Sequence, residues 1–464
     1  MFYKVMALRL LHEQDYNQQL SADQEKKSLY GEIFTPFSLI KNMFELLPKG
    51  AFKNPNAKWL DPGAGTGFFS IYLFWRLDEG LVEEIPDKNE RQTHIIENMI
   101  YMVEIQSDNV QHLRHLFGPR GNIIEGDFTS LKSEIRFDYV IGNPPYNANG
   151  SKKVPTNGVK DKKNDGKTIW ISFLKKAISL SKPRGMVLFI VPSIWMKPDR
   201  ARTYHYLMDY KIAKLRCLTN TETNRIFSME AQTPTCYFLL LNEKNDYAVD
   251  LYDRDRKQYC RYALDLGKPI PVFGATVIGK LRPFVEAFGH IRVKKTNLPL
   301  RGSRFSNTIE EGYSYANIRT AVLDGIHPRL VINYSNSPQA HFGVRKLVLP
   351  HKMYGFPYID TEGTYGISNR DNYVILNRSK EDLEILREFF STKTALYLFE
   401  ATRYRMKYLE KYAFELIPDV PRLPGLPRPL TDESIADYFG FDAIDRRNIR
   451  ALHRKAYSFN YSHQ

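Results

Sequence analysis

Four consecutive residues, Asn143, Pro144, Pro145 and Tyr146, end an apolar strand-like run beginning near Val140. Their types suit one particular chemistry. An amino group on an aromatic ring is a poor nucleophile, because its lone pair is delocalised into the ring. Two acceptors aimed at its hydrogens draw the nitrogen towards tetrahedral geometry and free the lone pair to meet an electrophile. The Asn143 side-chain oxygen and the Pro144 carbonyl can be those acceptors. Proline removes a competing donor and fixes the turn that aims the carbonyl. Tyr146 offers a face on which a ring can stack. Acceptors placed this way act most strongly as charge develops at the nitrogen, so they assist rate as well as affinity. The plainer reading is a strand stopped by prolines beside an aromatic residue.

Upstream, Trp59-Leu60-Asp61-Pro62-Gly63-Ala64-Gly65-Thr66-Gly67-Phe68 follows a strand and opens a helix. Glycines there permit positive φ and close approach of a ligand to the backbone, which suits a nucleotide-like cofactor. No Lys-Ser/Thr pair follows, which argues against nucleoside triphosphate hydrolysis. Glu104 closes the next strand, where a carboxylate can accept from two ribose hydroxyls. The interval from the glycine loop is longer than is usual, and the charged segment Asp78 to Gln92 accounts for the excess as an inserted loop or helix extension. Asp127 ends a third strand. It can accept from an adenine amino group, with Ile105 and Phe128 lining the ring. Singly, each acid reads as a solvated strand-end carboxylate; at successive strand ends they define a site.

The elements that must position these residues follow from periodicity. Lys58–Leu60, Ile100–Ile105, Asn122–Glu125, Phe137–Ile141, Met186–Val191 and Thr235–Leu241 read as strands, and Trp170–Leu180 has helical spacing. Strands alternating with helices imply an α/β fold with a mostly parallel sheet and helices on both faces. After about residue 250, Pro, Gly, Tyr and Arg become frequent. A long helical pattern spans Glu381 to Tyr412, Pro418 to Pro429 reads as a linker, and a last helical piece runs from Asp432 to about Tyr457. The expected divisions are 1–249, 250–430 and 431–464. The 464 residues carry 66 Lys and Arg against 52 Asp and Glu, a net charge of +14, which suggests a polyanionic partner. Three cysteines with no C-x-x-C pair encode neither a disulfide framework nor a zinc ribbon and point to a reducing compartment. No apolar run is long enough to span a bilayer. The expectation is a soluble cytoplasmic protein with no membrane partner.

In this order, the glycine loop, the two acids and the NPPY tetrapeptide resemble the S-adenosylmethionine-dependent N6-adenine DNA methyltransferases with the gamma motif arrangement. Gly31-Glu32-Ile33-Phe34-Thr35-Pro36 matches that family's G-x-x-x-T-P element. The resemblance implies a Rossmann-like catalytic domain over 1–249, a mixed α/β target-recognition domain over 250–430 and a helical segment over 431–464. It implies S-adenosyl-L-methionine as cofactor. Thr35 would help hold its carboxylate, Gly63, Ala64, Gly65 and Gly67 would cradle its methionine part beside Asp61, Glu104 would take the ribose, and Asp127 the adenine. It also implies an aromatic on the far face of a flipped base. Phe227 is the candidate and Tyr237 the alternative. A bare reading of Thr35-Pro36, a helix N-cap followed by proline at the first helical position, is compatible with the family role.

The implied partner is double-stranded DNA, with room for a cognate restriction endonuclease, and the expected state is a monomer. A base within a duplex must be extruded to reach such a pocket. Asn147 to Lys167, with Lys152, Lys153, Lys160, Lys162, Lys163 and Lys167, is expected to be a mobile loop that orders on DNA. Arg301, Arg304, Arg319, Arg329, Lys346 and Lys352, interleaved with Tyr313, Tyr315, Tyr354 and Phe356, and then Arg403, Arg405 and Lys407, are candidates for phosphate and base contacts. His112 and His115 have helical metal-ligand spacing but no third ligand, and read as surface residues. Pro198-Asp199 with Asp209-Tyr210-Lys211 matches a nuclease pattern by chance. With little chain ahead of Gly31, the expected enzyme modifies and does not cut. Methylation of RNA adenine or of protein glutamine, and a catalytically dead binding module, are the rival readings.

Overall fold

The computed structural model describes residues 34–148, 167–198, 201–227, 233–295, 299–324, 327–351, 357–404 and 409–452. The chain forms two compact units. The first comprises Met1–Trp195 and Asp199–Leu251, and the second comprises Met196–Pro198 and Tyr252–Gln464.

The first unit is built on a mixed, mainly parallel sheet. Its strands are β1 (Trp59–Asp61), β2 (Ile100–Glu104), β3 (Asn122–Glu125), β4 (Phe137–Gly142), β7 (Ser181–Pro192), β8 (Tyr210–Leu218), β9 (Thr235–Lys244) and β10 (Ala248–Asp253). A two-stranded ribbon, β5 (Asn147–Ala148) with β6 (Lys167–Thr168), stands apart from that sheet. Among the strands of this unit the order is β10-β8-β9-β7-β4-β1-β2-β3. β1 pairs in parallel with both β2 and β4, and β2 with β3 and β4 with β7 are also parallel. β9 lies antiparallel to both β7 and β8. The chain therefore builds outwards from β1 in one direction, then returns to add β4 on its other side. That reversal opens a crevice beyond the carboxyl ends of β1 and β4, the usual ligand position in an open α/β sheet.

Residue choice explains the sheet. β1 is buried throughout, and Val187 to Val191 of β7 are fully enclosed, as strands covered on both faces require. Helix α1 (Phe37–Phe44) and helix α2 (Phe68–Gly80) bury Ile40, Met43, Ile71 and Phe74 in the same core as Trp59, Ile100 and Met102. A column of rings runs through it. Phe44 stacks on Phe52, Phe52 on Trp59, and Trp59 on Tyr139 with centroids 3.9 Å apart. Each such pair adds about 0.5–1.5 kcal/mol beyond burial, and together they tie β1 to β4, the two strands whose ends carry the glycine loop and the NPPY turn.

The charged interval after α2 is held by Arg91 and Gln92. Arg91, in helix α3 (Lys88–His94), donates from Nε to Asp78 Oδ1 at 2.8 Å and from Nη1 to the carbonyl of Ile85, and its neighbour Gln92 donates to Asp78 Oδ2 at 2.7 Å. A π-helical turn, Ile95–Met99, then delivers the chain to β2.

The second unit contains a long antiparallel hairpin, Tyr315–Asp324 with His327–Ser335, and a sheet in which Lys346–Pro350 is flanked by Tyr358–Asp360 and Asn372–Ile375. Two expectations are corrected here. The helical pattern from Glu381 breaks into Lys380–Phe390 and Lys393–Ala401, because Thr392 accepts from the Ala395 N–H and starts a new helix. The proline-rich stretch from Pro418 is packed: Ile417 and Val420 are fully buried, and Arg378 donates to Asp419 at 2.6 Å. Apolar residues between its prolines, at Val420 and Leu423, and Leu430 just after the last of them, pull it onto the unit. Helices Asp432–Tyr438 and Ala443–Arg450 belong to the same unit. Among the described residues no helix is long and apolar enough to cross a membrane.

Candidate active site

β1 ends at Asp61, and the chain turns through Gly63–Gly67 into α2. Gly65 and Gly67 take φ of 52° and 98°, left-handed values that side-chain-bearing residues avoid. Glu104, at the end of β2, braces this turn. Its Oε2 accepts from the Gly65 N–H at 2.7 Å, and its Oε1 accepts from the Gln106 N–H at 2.8 Å. The carboxylate is buried and oriented by backbone donors. Ala64 donates to the Val103 carbonyl at 3.1 Å, so the loop is sewn to β2 as well.

Asp61 is buried beneath the loop. Ser70 Oγ, in the first turn of α2, donates to its Oδ2 at 2.9 Å, while no well-formed hydrogen bond among the described residues reaches Oδ1. Burial pushes its carboxyl up to about 7, against the Ser70 hydroxyl and the Gly63 N–H, which favour the charge, and with Glu104 adding repulsion. A buried carboxylate oxygen in need of a donor, under a loop of glycines, fits a cationic group.

The NPPY turn leaves β4 next to this loop. A methyl group added at Gly63 would sit in ordinary van der Waals contact, 3.8 Å from the Pro145 ring and 3.6 Å from the Phe173 ring, so the glycine loop and the NPPY turn lie side by side. Asn143 donates from Nδ2 to Thr35 Oγ1 at 3.0 Å. Pro144 is buried. Tyr146 is partly exposed as a residue, but its hydroxyl is enclosed near Cys236 and has no hydrogen-bond partner among the described residues. Burial drives that hydroxyl well above the usual phenol range. Beyond Tyr146, the ribbon β5–β6 closes, and the Ile169 N–H returns to the Tyr146 carbonyl at 3.2 Å.

The remaining expected residues divide. Ile105 is 52% exposed beside Glu104, an apolar surface at the strand end. Phe128 is buried, 5.2 Å from the Phe173 ring, and forms floor rather than wall. Asp127 is exposed and caps the turn Phe128–Ser130 by accepting from the Thr129 N–H at 2.8 Å. Phe227 is 3% exposed and packs in the sheet core with Leu218 and Tyr237. Neither Phe227 nor Tyr237 presents a ring to an open cleft. Lys346 is also corrected as a nucleic-acid contact: it is 0% exposed, and its ammonium pairs with Asp360 at 2.6 Å. Arg403 lies past the end of its helix, at Ala401, and pairs with Glu400. The polar interval 149–166, with Lys352, Tyr354, Phe356, Arg405, Lys407, Asp199 and Gly31–Ile33, lies outside the described residues.

Sequence reasoning missed Ser70, Phe173 and the bond between Thr35 and Asn143. Ser70 could have been found, because it falls one turn into the helix that the glycine loop begins. Phe173 and the Thr35 bond join residues far apart in the chain. Within the second unit, a cleft of about 570 Å³ was missed too. Arg292, Lys294, Arg378, Lys411 and Arg422 line it around a floor that includes Val374 and Phe414. Arg378 and Arg422 both pair with buried Asp419, which fixes their positions.

Residues 17–227 match the family model described as Eco57I restriction-modification methylase. An uncharacterized adenine-specific methylase of Mycoplasma pneumoniae is 25% identical over 36% of this chain and 56% of its own. The modification methylase CviBIII of Paramecium bursaria Chlorella virus NC1A is 27% identical over 37% of this chain and 40% of its own. The type I restriction enzyme EcoKI M protein has a solved structure with a TM-score of 0.35 and 21% identity, covering 49% of each chain. The matches thus span about half the length of these relatives or less.

Proposed function

We propose that this chain, whose residues 17–227 match the Eco57I restriction-modification methylase family model, is a site-specific DNA adenine-N6 methyltransferase. The observation that carries this reading is the meeting of the Gly63 turn and the Pro145 ring at the ends of adjacent strands, with Glu104 bracing one side and Asn143 the other. S-adenosyl-L-methionine would supply an electrophilic methyl group on a sulfonium centre. The fit of the residues to that cofactor rests on the left-handed turn at Gly65 and Gly67 and on the underbonded oxygen of Asp61. Asp61 would meet its ammonium group, Glu104 its ribose hydroxyls, Asp127 its adenine amino group, and Ile105 one face of its ring.

Asn143 and Pro144 act on the other reactant. The Asn143 amide oxygen and the Pro144 carbonyl accept from the two hydrogens of an extruded adenine amino group while the Tyr146 ring supports the base. As positive charge grows on that nitrogen, both acceptors strengthen, which lowers the barrier. The base reaches them only by leaving the duplex, and the basic surface of the second unit would offset part of that cost through phosphate contacts.

The test is transfer of a labelled methyl group to duplex DNA, structured RNA or protein, followed by single-molecule sequencing of the DNA product. The expected product is N6-methyladenine in DNA. Asn143→Ala should reduce turnover by about 10²–10³-fold, the scale for losing one preorganised transition-state interaction. Labelling of RNA or protein alone, or unchanged turnover in a folded Asn143→Ala protein, would overturn the proposal.

A further inference from the structure

Thr35 precedes helix α1 but does not cap it. Pro36 occupies the N-cap position, and no side chain makes the cap bond. The Thr35 hydroxyl is instead engaged by Asn143 Nδ2 at 3.0 Å, across 108 positions of sequence, and the residue is only 3% exposed. The hydroxyl's own proton donates to no acceptor among the described residues. A hydroxyl has one donor and two acceptor positions. It can therefore meet either end of a carboxamide, accepting from the nitrogen or donating to the oxygen. The two arrangements differ by a half-turn of the Asn143 amide, about a torsion whose preference is roughly two-fold. Only one of them leaves Oδ1 directed away from Thr35.

We infer that Thr35 is a positioning residue that sets which end of the Asn143 amide faces the target, and that an acceptor taking the Thr35 proton locks that choice. Once the proton is committed elsewhere, Thr35 can only accept, so Nδ2 must turn inward and Oδ1 outward. Under the proposed function, on which this inference rests, the acceptor is the carboxylate at the amino-acid end of the cofactor. The bonds then form a chain in which each donor polarises the next: carboxylate, Thr35, the Asn143 amide, and the amino hydrogen of the target. A bound cofactor would thereby prepare the acceptor that activates the other substrate.

The test joins kinetics to a measurement on the resting protein. Thr35→Val has a similar volume and lacks the hydroxyl; Thr35→Ser restores it. With unmethylated genomic DNA and saturating S-adenosylmethionine, Thr35→Val should lower kcat at least tenfold, and Thr35→Ser should stay within about threefold of the parent. In protein labelled with ¹⁵N-asparagine, S-adenosylhomocysteine should shift and sharpen the Asn143 side-chain amide signals. 5′-Methylthioadenosine, which lacks the carboxylate, should leave them in place, and in Thr35→Val neither compound should move them. A Thr35→Val protein with raised cofactor KM but unchanged kcat would overturn the inference, as would Asn143 signals that respond identically to both compounds. The amide measurement needs no turnover, so it reads out even where no methyl transfer to DNA occurs. The same spectra report whether each variant is folded.

Discussion

Replacing Asp61 with asparagine should separate what this residue does for folding from what it does for binding. Its carboxyl is raised from 3.8 to about 7 mainly by burial. In the unfolded chain it ionises near 3.8, so between that pH and 7 the folded protein holds a proton that the unfolded chain has released. Stability from this group is therefore highest at acid pH, declines as pH rises towards 7, and is level above it. At about 1.4 kcal/mol per pH unit, the burden at pH 8 is on the order of 4 kcal/mol, and at pH 4.5 it is about 1 kcal/mol. Asp61→Asn removes the burden but introduces amide hydrogens that need acceptors, at about 1–3 kcal/mol. The difference in unfolding free energy, variant minus parent, should therefore rise by about 3 kcal/mol from pH 4.5 to pH 8 in urea titrations. Other titrating groups cancel in that difference. Cofactor binding by calorimetry at pH 8 should weaken by about 10–100-fold, as loss of a charge-assisted hydrogen bond requires. A difference that is the same at both pH values would refute the argument, because Asp61 would then not be a buried carboxyl titrating near neutrality.

Tyr146→Phe should keep kcat within about threefold and raise stability by about 1 kcal/mol, because it deletes an enclosed hydroxyl that has no partner among the described residues; a tenfold loss of kcat would give that hydroxyl a chemical role. Lys346→Met strands Asp360 without its ammonium and should cost about 3–5 kcal/mol in urea unfolding, and a loss below 1 kcal/mol would contradict it. Combined Arg292→Gln, Lys294→Gln and Lys411→Gln should flatten the logarithmic salt dependence of duplex binding by about 0.9 for each phosphate no longer neutralised. Removing Lys41, Lys49 and Lys132 deletes the same charge elsewhere; an equal flattening there would mean that only net charge matters.

The parts of the site that were legible in the sequence are those whose chemistry is local. Gly63 to Gly67 and Asn143 to Tyr146 each carry backbone and side-chain requirements within five residues, and strand periodicity places both at strand ends. Lys346 and Phe227 show the opposite case. A lysine that meets phosphate and one that satisfies a buried aspartate are the same letter, and only the Lys346 partner 14 residues away, Asp360, distinguishes them. The family resemblance makes Phe227 the expected aromatic on the far face of a flipped base, yet the helix Asn220–Ile226 ends by placing it in the core. The stretch from Pro418 misleads for a related reason: its prolines suggest extension, whereas the apolar residues between them decide its packing. Thr35 carries a correct signal for the wrong partner, since its position suggests a cap and its hydroxyl faces a residue 108 positions away.

The short ribbon that pairs Asn147 with Thr168 and Ala148 with Lys167 pinches the chain immediately after the NPPY turn and before helix Trp170–Leu180. Whatever joins the two strands leaves and re-enters at nearly one point. By loop-closure entropy alone, each doubling of the number of residues between two such fixed ends costs only about 0.6 kcal/mol. The register Asn147 with Thr168 and Ala148 with Lys167 is therefore a point at which the length and charge of the chain can change while Tyr146 and Trp170 on either side keep their places.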